Sequence, residues 1–310
     1  MQITLYSRCQ LYIYYLGRVT MKKKNLDILY VLPAMIVVAV MTQVPFILTV
    51  IYSTLRWNLA RPDLPVKFVG LDNYLYFLKN SEFYSIALQT ILLTVVALVL
   101  CTIIGFLVSI LLDNAIPGVN IARTLILGPF FVMSTASGVI WKTTILNTTF
   151  GWYGVILKAL GFTPVDLLSY HPIPLIALLF VWQWMPFFVL IILAGLQGIS
   201  GDIVDSMKVD GTNWFQSTFL IKLPMISIHI SVAVMLGLIF IVKEFGLILV
   251  TTAGGPGTRS YTLPYAVYMQ VFSASNVGRA GSLATMTVVM TLVAINILYK
   301  SIKRRTAVND

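Results

Sequence analysis

Long windows without charged residues are the feature that most constrains how this chain can fold. Charged residues make up 10% of its 310 residues, against about 25% in an ordinary soluble domain. A helix needs about 20 mainly apolar residues to cross the hydrocarbon core of a bilayer. Six windows come close to or exceed that length: Ile28–Leu55, Phe83–Leu112, Thr124–Trp141, Ile173–Leu196, Leu223–Val242 and Ala280–Tyr299. The sequence therefore predicts an all-α membrane protein with six transmembrane helices.

The edges of these windows leave some choices open. The fifth window can end near Val242 or continue past Lys243 to about Val250. Residues 143–157 and 260–278 also lack charged side chains, but polar residues, glycine and proline interrupt them. We predict that both stretches are loops on the outer side of the membrane with short surface helices.

The distribution of Lys and Arg predicts the orientation of the chain. Twelve of the 21 basic residues lie on the side of the N-terminus and seven on the opposite side, while Lys142 and Lys243 lie at or within spans. Cytoplasmic segments carry the excess of Lys and Arg, so both termini are expected in the cytoplasm. The net charge of +10 comes largely from basic residues near the two ends, which indicates membrane topology and gives no reason to expect a nucleic-acid partner.

The first 20 residues are set apart from the rest of the chain. They mix polar and aromatic residues and lack the apolar core and cleavage site of a signal peptide. Met21, followed by three lysines, is a better cytoplasmic start. Residues 1–20 are therefore expected to be a mis-assigned translation start or a disordered tail, and residues 21–310 to form one transmembrane domain.

The segment DSMKVDGTNWFQSTFLIKLP between the fourth and fifth spans is polar and aromatic at once. Gly211 is suited to end one short helix, Asn213 and Gln216 have the spacing of a capping box that starts a second, and Pro224 suits the first turn of the next span. Apolar residues are available to one side of these helices: Met207, Trp214, Phe215, Phe219 and Leu220. Apolar side chains rimmed by charge indicate an interaction site. The alternative is that they lie at the bilayer interface.

The fourth span contains an aromatic and amide group that suits a sugar or polyol. Trp182, Gln183 and Trp184 are followed by Pro186, which can bend the helix and free backbone groups near a cavity. Flat aromatic faces and hydrogen-bonding groups bind sugars and polyols. The alternative is that both tryptophans pack in the core or anchor the helix at the interface.

Lys243 and Glu244 are the other candidates for the substrate pathway. Ionisable residues within a span are costly and usually face a cavity or each other. If the helix continues through both residues, Glu244 is a candidate acceptor for substrate hydroxyls, with Lys243 as its neutralising partner. If the helix ends near Ile241, both residues are interfacial.

Several ordered motifs resemble the binding-protein-dependent ABC importer permeases, in the carbohydrate branch that includes maltose, polyol and glycerol-phosphate systems. The loop between the fourth and fifth spans resembles the family's EAA loop, with Asp for Glu, Ser and Met for two Ala, and Thr for the last Ala. The matching residues are Asp205, Ser206, Met207, Asp210, Gly211, Thr212, Phe215, Phe219, Leu223 and Pro224. The stretches FVGLDNYLYFL, ARTLILGPFF, ILAGLQGIS and TTAGGPGTRSYTLPYAVY resemble further family segments, and the likeness extends over about residues 25–304.

The resemblance implies a type I permease fold in the bacterial or archaeal cytoplasmic membrane. It implies that residues 200–224, called the coupling loop below, dock into a separate ATPase subunit and receive its closing motion. The chain has no phosphate-binding GxxxxGK[ST] loop, so ATP and Mg²⁺ are expected on the ATPase and no cofactor or catalytic residue in this chain. The implied partners are a second permease subunit, two ATPase subunits and an extracytoplasmic solute-binding protein that delivers a sugar or polyol.

Two other classes of membrane protein are less well supported by the residues. A secondary transporter predicts inverted repeats and carboxylates for coupling ions, but no repeat is visible and Glu244 is the only candidate carboxylate within a span. A membrane enzyme needs a nucleophile with a base or a His/carboxylate cluster. His171 and His229 are too far apart for a metal site, and Cys9 and Cys101 have no plausible disulfide or metal partner in the sequence. Glycerol phosphate remains an alternative solute.

Overall fold

The structure, a computed structural model, describes residues 30–114 and 117–306, with the side chains of residues 301–306 left undescribed. The predicted tail at residues 1–20, Cys9 and the lysines after Met21 therefore lie outside the described residues. The chain divides into two compact units, of which the first ends at Tyr52. Its described part is residues 30–52 of helix α1 (Tyr30–Ser53), whose most apolar window has a mean hydropathy of 2.3 and no buried residue. A helix that is apolar on all faces is expected to be surrounded by lipid or by other helices.

The second unit begins at Ser53 and contains three more long apolar helices. Strands β1 (Leu55–Arg56) and β2 (Lys67–Phe68) form a small antiparallel pair with Leu55 opposite Phe68. The short α2 (Asp72–Leu78) follows. The long helices are α3 (Ser81–Asp113), α9 (Pro172–Gln197) and α15 (Val277–Thr306), numbered in chain order. They confirm the predicted helices at 83–112, 173–196 and 280–299, and α9 runs through Pro186 as a single helix.

The third predicted span is not one continuous helix. It consists of α4 (Val119–Ile126) and α5 (Gly128–Phe131), followed by α6 (Ser134–Val139) and the π-helix π1 (Ile140–Ile145). The two parts meet at an angle of 93°, because Val132 and Met133 are extended, with ψ angles of 131° and 136°. The prediction of an unbroken helix over 124–141 is therefore wrong in its continuity.

The fifth predicted span is bent at one end and interrupted at the other. The π-helix π2 (Gln216–Lys222) and α11 (Leu223–Met225) meet α12 (Ser227–Val242) at 66°. Helix α12 stops at Val242, and α13 (Gly246–Thr251) starts after a three-residue break. The helix therefore does not continue through Lys243 and Glu244. Four described helices are long and apolar enough to cross a membrane, or up to six if each bent pair is one span.

Short helices fill the connecting segments. They are α7 (Trp152–Ala159), α8 (Leu167–Tyr170), α10 (Gly201–Val209) and α14 (Leu263–Phe272). Helices α7 and α14 confirm that the apolar stretches 143–157 and 260–278 contain short helices and not further spans. Helix α10 begins the coupling loop.

The core of the second unit lies where α3 and α9 cross, with α12 and α13 packed beside them. Gly105 of α3 permits this contact, since a Cβ atom there would lie 2.8 Å from the Cβ atom of Phe188. Next to it, the Ser109 hydroxyl donates to its own helix at the Gly105 carbonyl and lies 3.2 Å from the Val189 carbonyl of α9. Cys101 is buried in this core as a free thiol. Helices α3 and α9 therefore form the framework to which the other elements attach.

Candidate coupling loop and pathway cluster

The coupling loop contains the predicted helix end at Gly211. Helix α10 stops at Val209, and Gly211 has a φ angle of +67°, which suits glycine because it has no Cβ atom. The Gly211 amide donates to the Lys208 carbonyl at 3.2 Å and the Thr212 amide to the Met207 carbonyl at 3.1 Å. This is the hydrogen-bond pattern of a Schellman motif, so the turn reverses the chain with its carbonyls satisfied.

The predicted capping box starts the second helical part of the loop. The Gln216 amide donates to the Asn213 side-chain oxygen at 2.8 Å, and the Asn213 amide donates to the Gln216 side-chain oxygen at 3.0 Å. Both contacts of the motif are present. The element that follows is mainly the π-helix π2, a form that the sequence did not indicate. The loop thus has two short helical arms with a well-defined turn between them.

The apolar residues of the coupling loop divide into two sets. Met207 is 5% exposed and therefore buried, and the ring of Phe219 lies 5.9 Å from that of Phe106 on α3. The other set is exposed and is called the apolar edge below: Val209, Trp214, Phe215 and Leu220. Met207 is thus not part of the exposed set. Phe219 is half-buried and lies between the two sets, because its ring also contacts the rings of Trp214 at 6.1 Å and Phe215 at 4.8 Å.

The remaining motif residues of the loop are mostly at its surface. Asp205 forms an exposed ion pair with Lys208 at 2.9 Å, and the Ser206 hydroxyl donates to the Ile203 carbonyl of its own helix. Asp210 is exposed in the turn. Leu223 is half-buried and Pro224 exposed, both in α11 just before the 66° bend.

A second set of functional candidates forms a polar cluster between the two helix breaks. The Gln183 side-chain amide of α9 donates to the Val132 carbonyl at 2.9 Å and to the Ser134 hydroxyl oxygen at 3.1 Å. Ser134 donates to one Glu244 carboxylate oxygen at 2.9 Å, and the Gly246 amide donates to the other at 2.9 Å. Gln183 thus donates a hydrogen bond to the Val132 carbonyl at the first break, and Glu244 accepts one from an amide in the first turn of α13, the helix that follows the second break.

The rest of the predicted pathway residues lie near this cluster in the sequence but make other contacts. Trp184 stacks on Phe240 with ring centroids 5.0 Å apart, and the Lys243 ammonium lies 4.8 Å from the centroid of the same ring. Trp182 packs edge-on against Trp141 at 5.5 Å, which supports the packing interpretation for that residue. Lys243 was expected to neutralise Glu244 only if the helix continued through both residues, and α12 ends at Val242. Among the ion pairs of the described residues, none joins Lys243 to Glu244.

Two members of the polar cluster were not among the residues predicted from the sequence. Ser134 and the buried Ser137, whose hydroxyl lies 3.4 Å from the Gln183 side-chain oxygen, both fall in the window that was predicted as one span. Small polar residues in an apolar window are a usable signal for helix contacts in a membrane. No group of three potential metal ligands occurs within residues 30–114 and 117–306.

Comparison with known proteins identifies relatives that match almost the whole chain. The chain matches no family model. It is 32% identical over 281 residues to a probable ABC transporter permease of Sinorhizobium fredii, covering 90% of this chain and 91% of that protein. It is 30% identical over 285 residues to the trehalose/maltose transport system permease MalF of Thermococcus litoralis, covering 91% and 95%.

Solved structures show the same fold. A bacterial ABC transporter involved in the import of the acidic polysaccharide alginate contains a chain with a TM-score of 0.77 and 18% identity, covering 92% of this chain and 97% of that one. The same transporter in complex with its alginate pentasaccharide-bound periplasmic protein gives a TM-score of 0.76. The fold of these chains and the identity to the curated relatives agree with the motifs along the sequence. This chain therefore belongs to the family of carbohydrate ABC transporter permeases.

Proposed function

We propose that this chain is one of two permease subunits that form the translocation pathway of an ATP-driven importer for a neutral sugar or polyol. It crosses the cytoplasmic membrane six times, with each bent helix pair as one span and with both termini in the cytoplasm. It catalyses no reaction itself, and ATP and Mg²⁺ bind to a separate pair of ATPase subunits. Delivery of the solute falls to an extracytoplasmic binding protein, as the periplasmic protein bound to the related alginate transporter suggests.

The apolar edge of the coupling loop is the observation that carries this proposal. Val209, Trp214, Phe215 and Leu220 are exposed on a segment whose turn and helix start are fixed by hydrogen bonds. Trp and other aromatic residues are typical anchors of protein interfaces, and a short helix with apolar residues on one side suits a groove on a partner. The edge on a cytoplasmic loop therefore serves as the docking surface for the ATPase.

The polar cluster and the neighbouring rings supply the chemistry of the pathway. Glu244 is half-buried and accepts two hydrogen bonds, and a carboxylate has room for further donors such as sugar hydroxyls. Trp184 and Phe240 provide flat faces of the kind that sugars contact. Facing a second permease subunit, these groups line one half of a path for an uncharged polyhydroxylated solute.

Glycerol phosphate is the second candidate solute. Lys243 is exposed and makes a contact with the Phe240 ring and none with an acid of the described residues. A cation without an acidic partner can bind a phosphate group. One relative, 26% identical over 231 residues, is the sn-glycerol-3-phosphate transport system permease UgpA of Rhizobium meliloti.

The test is uptake into proteoliposomes that contain the complete complex, namely this chain, the second permease and the ATPase. Radiolabelled trehalose, maltose and sn-glycerol-3-phosphate are the probes, each with the purified solute-binding protein outside. The proposal predicts uptake of a sugar that requires ATP, the ATPase and the binding protein together. Uptake without the ATPase would assign the chain to the secondary transporters, and uptake of glycerol phosphate alone would favour the second candidate.

A further inference from the structure

A partly buried ion pair joins the coupling loop to the scaffold, and the loop motifs do not include it. The Lys222 ammonium at the end of π2 lies 2.9 Å from the Asp113 carboxylate at the end of α3, with side chains only 19% and 17% exposed. The loop also contains an exposed pair of the same composition, Lys208–Asp205, at the same 2.9 Å but with both side chains 72% exposed. Exposed pairs contribute little, and the cost of losing one partner rises as the pair becomes more shielded from solvent.

The position of Asp113 shows that it does not serve its own helix. A negative side chain in the last turn of a helix lies next to the negative end of the helix dipole, which is unfavourable. The end of α3 is instead stabilised by Arg123 of α4, whose guanidinium donates to the Leu112 carbonyl at 2.6 and 3.2 Å. Asp113 is thus left to hold the Lys222 ammonium.

A second contact between the loop and α3 lies on the same face of that helix. The rings of Phe219 and Phe106 are 5.9 Å apart, and Phe106 precedes Asp113 by seven residues, which is two turns of an α-helix. On the loop, Phe219 and Lys222 are three residues apart. Two attachment points along one face fix both the position and the direction of the π2 segment against α3.

From α3 the packing leads to the polar cluster. Gly105 and Ser109 contact Phe188 and Val189 of α9, and α9 carries Gln183, which contacts both the Val132 carbonyl and Ser134. Cores pack closely and transmit displacement because they have few voids. A movement of α3 is therefore passed to α9, whose Gln183 contacts the backbone at the first break.

We propose that the Asp113–Lys222 ion pair is a positioning element that makes the coupling loop and α3 move as one unit, so that displacement of the loop by the ATPase reaches the pathway. This inference rests on the proposed function, because it assumes that the loop is moved by a docked ATPase. It assigns to Asp113 and Lys222 a role in coupling and none in docking, because neither belongs to the apolar edge.

The test separates docking from coupling in the complete complex. The variants are Asp113→Asn, Lys222→Met and the exchanged pair Asp113→Lys with Lys222→Asp. The matched controls are Arg56→Met and Asp72→Asn, in an exposed pair outside the coupling loop whose charged atoms lie 3.8 Å apart and whose side chains are 68% and 64% exposed. Co-purification of the ATPase measures docking, and stimulation of ATP hydrolysis by the solute-binding protein measures coupling. Each single variant of the Asp113–Lys222 pair is expected to keep the ATPase bound, while the stimulation falls about tenfold, because the remaining charge has lost its partner in a site that is largely shielded from solvent. The exchanged pair is expected to regain most of the stimulation, and the control variants are expected to change the stimulation by less than about twofold.

A distance measurement gives a readout that a merely structural role would not change. Spin labels at Asp202→Cys, which lies on the loop but outside the apolar edge, and at Leu111→Cys, both exposed positions, report the separation of the loop and α3, with Cys9 replaced by Ser and the buried Cys101 left in place. With the ion pair intact, the distance stays the same in the nucleotide-free and vanadate-trapped states. With Asp113→Asn, the distance changes between these states.

The possible outcomes distinguish this inference from the proposed function. Normal stimulation in Asp113→Asn and Lys222→Met, or an exchanged pair as inactive as the single variants, would overturn the positioning role while docking stands. A label distance that changes between states in the unmodified pair would overturn it as well. An ATPase that binds independently of the apolar edge would instead refute the proposed function.

Discussion

Replacement of Gly211 tests whether the coupling loop must keep its turn in order to bind the ATPase. Gly211 has a φ angle of +67°, and no atom lies within 4 Å of a Cβ placed there, so substitution strains the backbone without a clash. An L-residue in this region costs about 1–2 kcal/mol, Asn is tolerated best after glycine, and a β-branched residue worst. If the free loop relaxes and only the docked loop needs the turn, the free energy of ATPase binding weakens by the cost of this backbone strain. We therefore expect affinity to fall about fivefold for Gly211→Ala and about tenfold or more for Gly211→Val.

Gly161 is a matched control for this experiment. It has a φ angle of +81°, no atom within 4 Å of an added Cβ, and the same hydrogen-bond pattern: its amide donates to the Lys158 carbonyl and the Phe162 amide to the Leu157 carbonyl. Gly161→Ala therefore introduces the same strain at a turn outside the coupling loop. The assay is titration of labelled ATPase onto the permease in nanodiscs, together with uptake. Wild-type affinity for Gly211→Val, or an equal loss for Gly161→Ala, would refute the reasoning.

Three further predictions concern the edge and the polar cluster. Trp214→Ser and Phe215→Ser remove exposed anchors. The free energy of ATPase binding should weaken by about 2 kcal/mol or more per side chain, while the melting temperature of the isolated permease stays the same. A lower melting temperature would mean that the rings stabilise the fold. Gln183→Leu leaves the Val132 carbonyl unpaired and should destabilise the permease by about 1–3 kcal/mol in thermal unfolding monitored by fluorescence, and an unchanged transition would contradict the cluster. Glu244→Gln should lower sugar uptake more than stability because an amide oxygen can still accept a hydrogen bond, whereas Glu244→Leu should lower both.

The coupling loop could be predicted from sequence because its structure is set by local chemistry. A glycine at the helix end and an Asn–Gln pair three residues apart act through hydrogen bonds to their own neighbours, so tertiary context is not needed to place them. Gly211, Asn213 and Gln216 accordingly lie where the pattern predicts. The burial of Met207 and the contact of Phe219 with Phe106 of α3 could not be predicted in the same way, because neither follows from local hydrogen bonds.

The breaks in the third and fifth spans show the limit of hydropathy. A window average records how apolar a segment is and carries no information on its backbone path, so Val132 and Met133 look like any other span residues. Non-helical backbone at membrane depth is stable only when its freed polar groups find partners. At the first break the partner is Gln183, which lies 51 residues from the Val132 carbonyl that it contacts. At the second break the partner is Glu244, which lies 2 residues from the Gly246 amide that it contacts. Asp113 and Lys222, which form the ion pair, are 109 residues apart in the sequence, so no local sequence pattern predicts their contact.

The side of the membrane on which the coupling loop lies is the most direct test of the account. Val209 is 87% exposed and belongs to the apolar edge, so Val209→Cys is accessible to a membrane-impermeant maleimide. We expect no labelling in intact cells, labelling in inside-out vesicles stripped of the ATPase, and protection when the ATPase is bound again. Labelling in intact cells would place the loop outside and contradict the docking of a cytoplasmic ATPase.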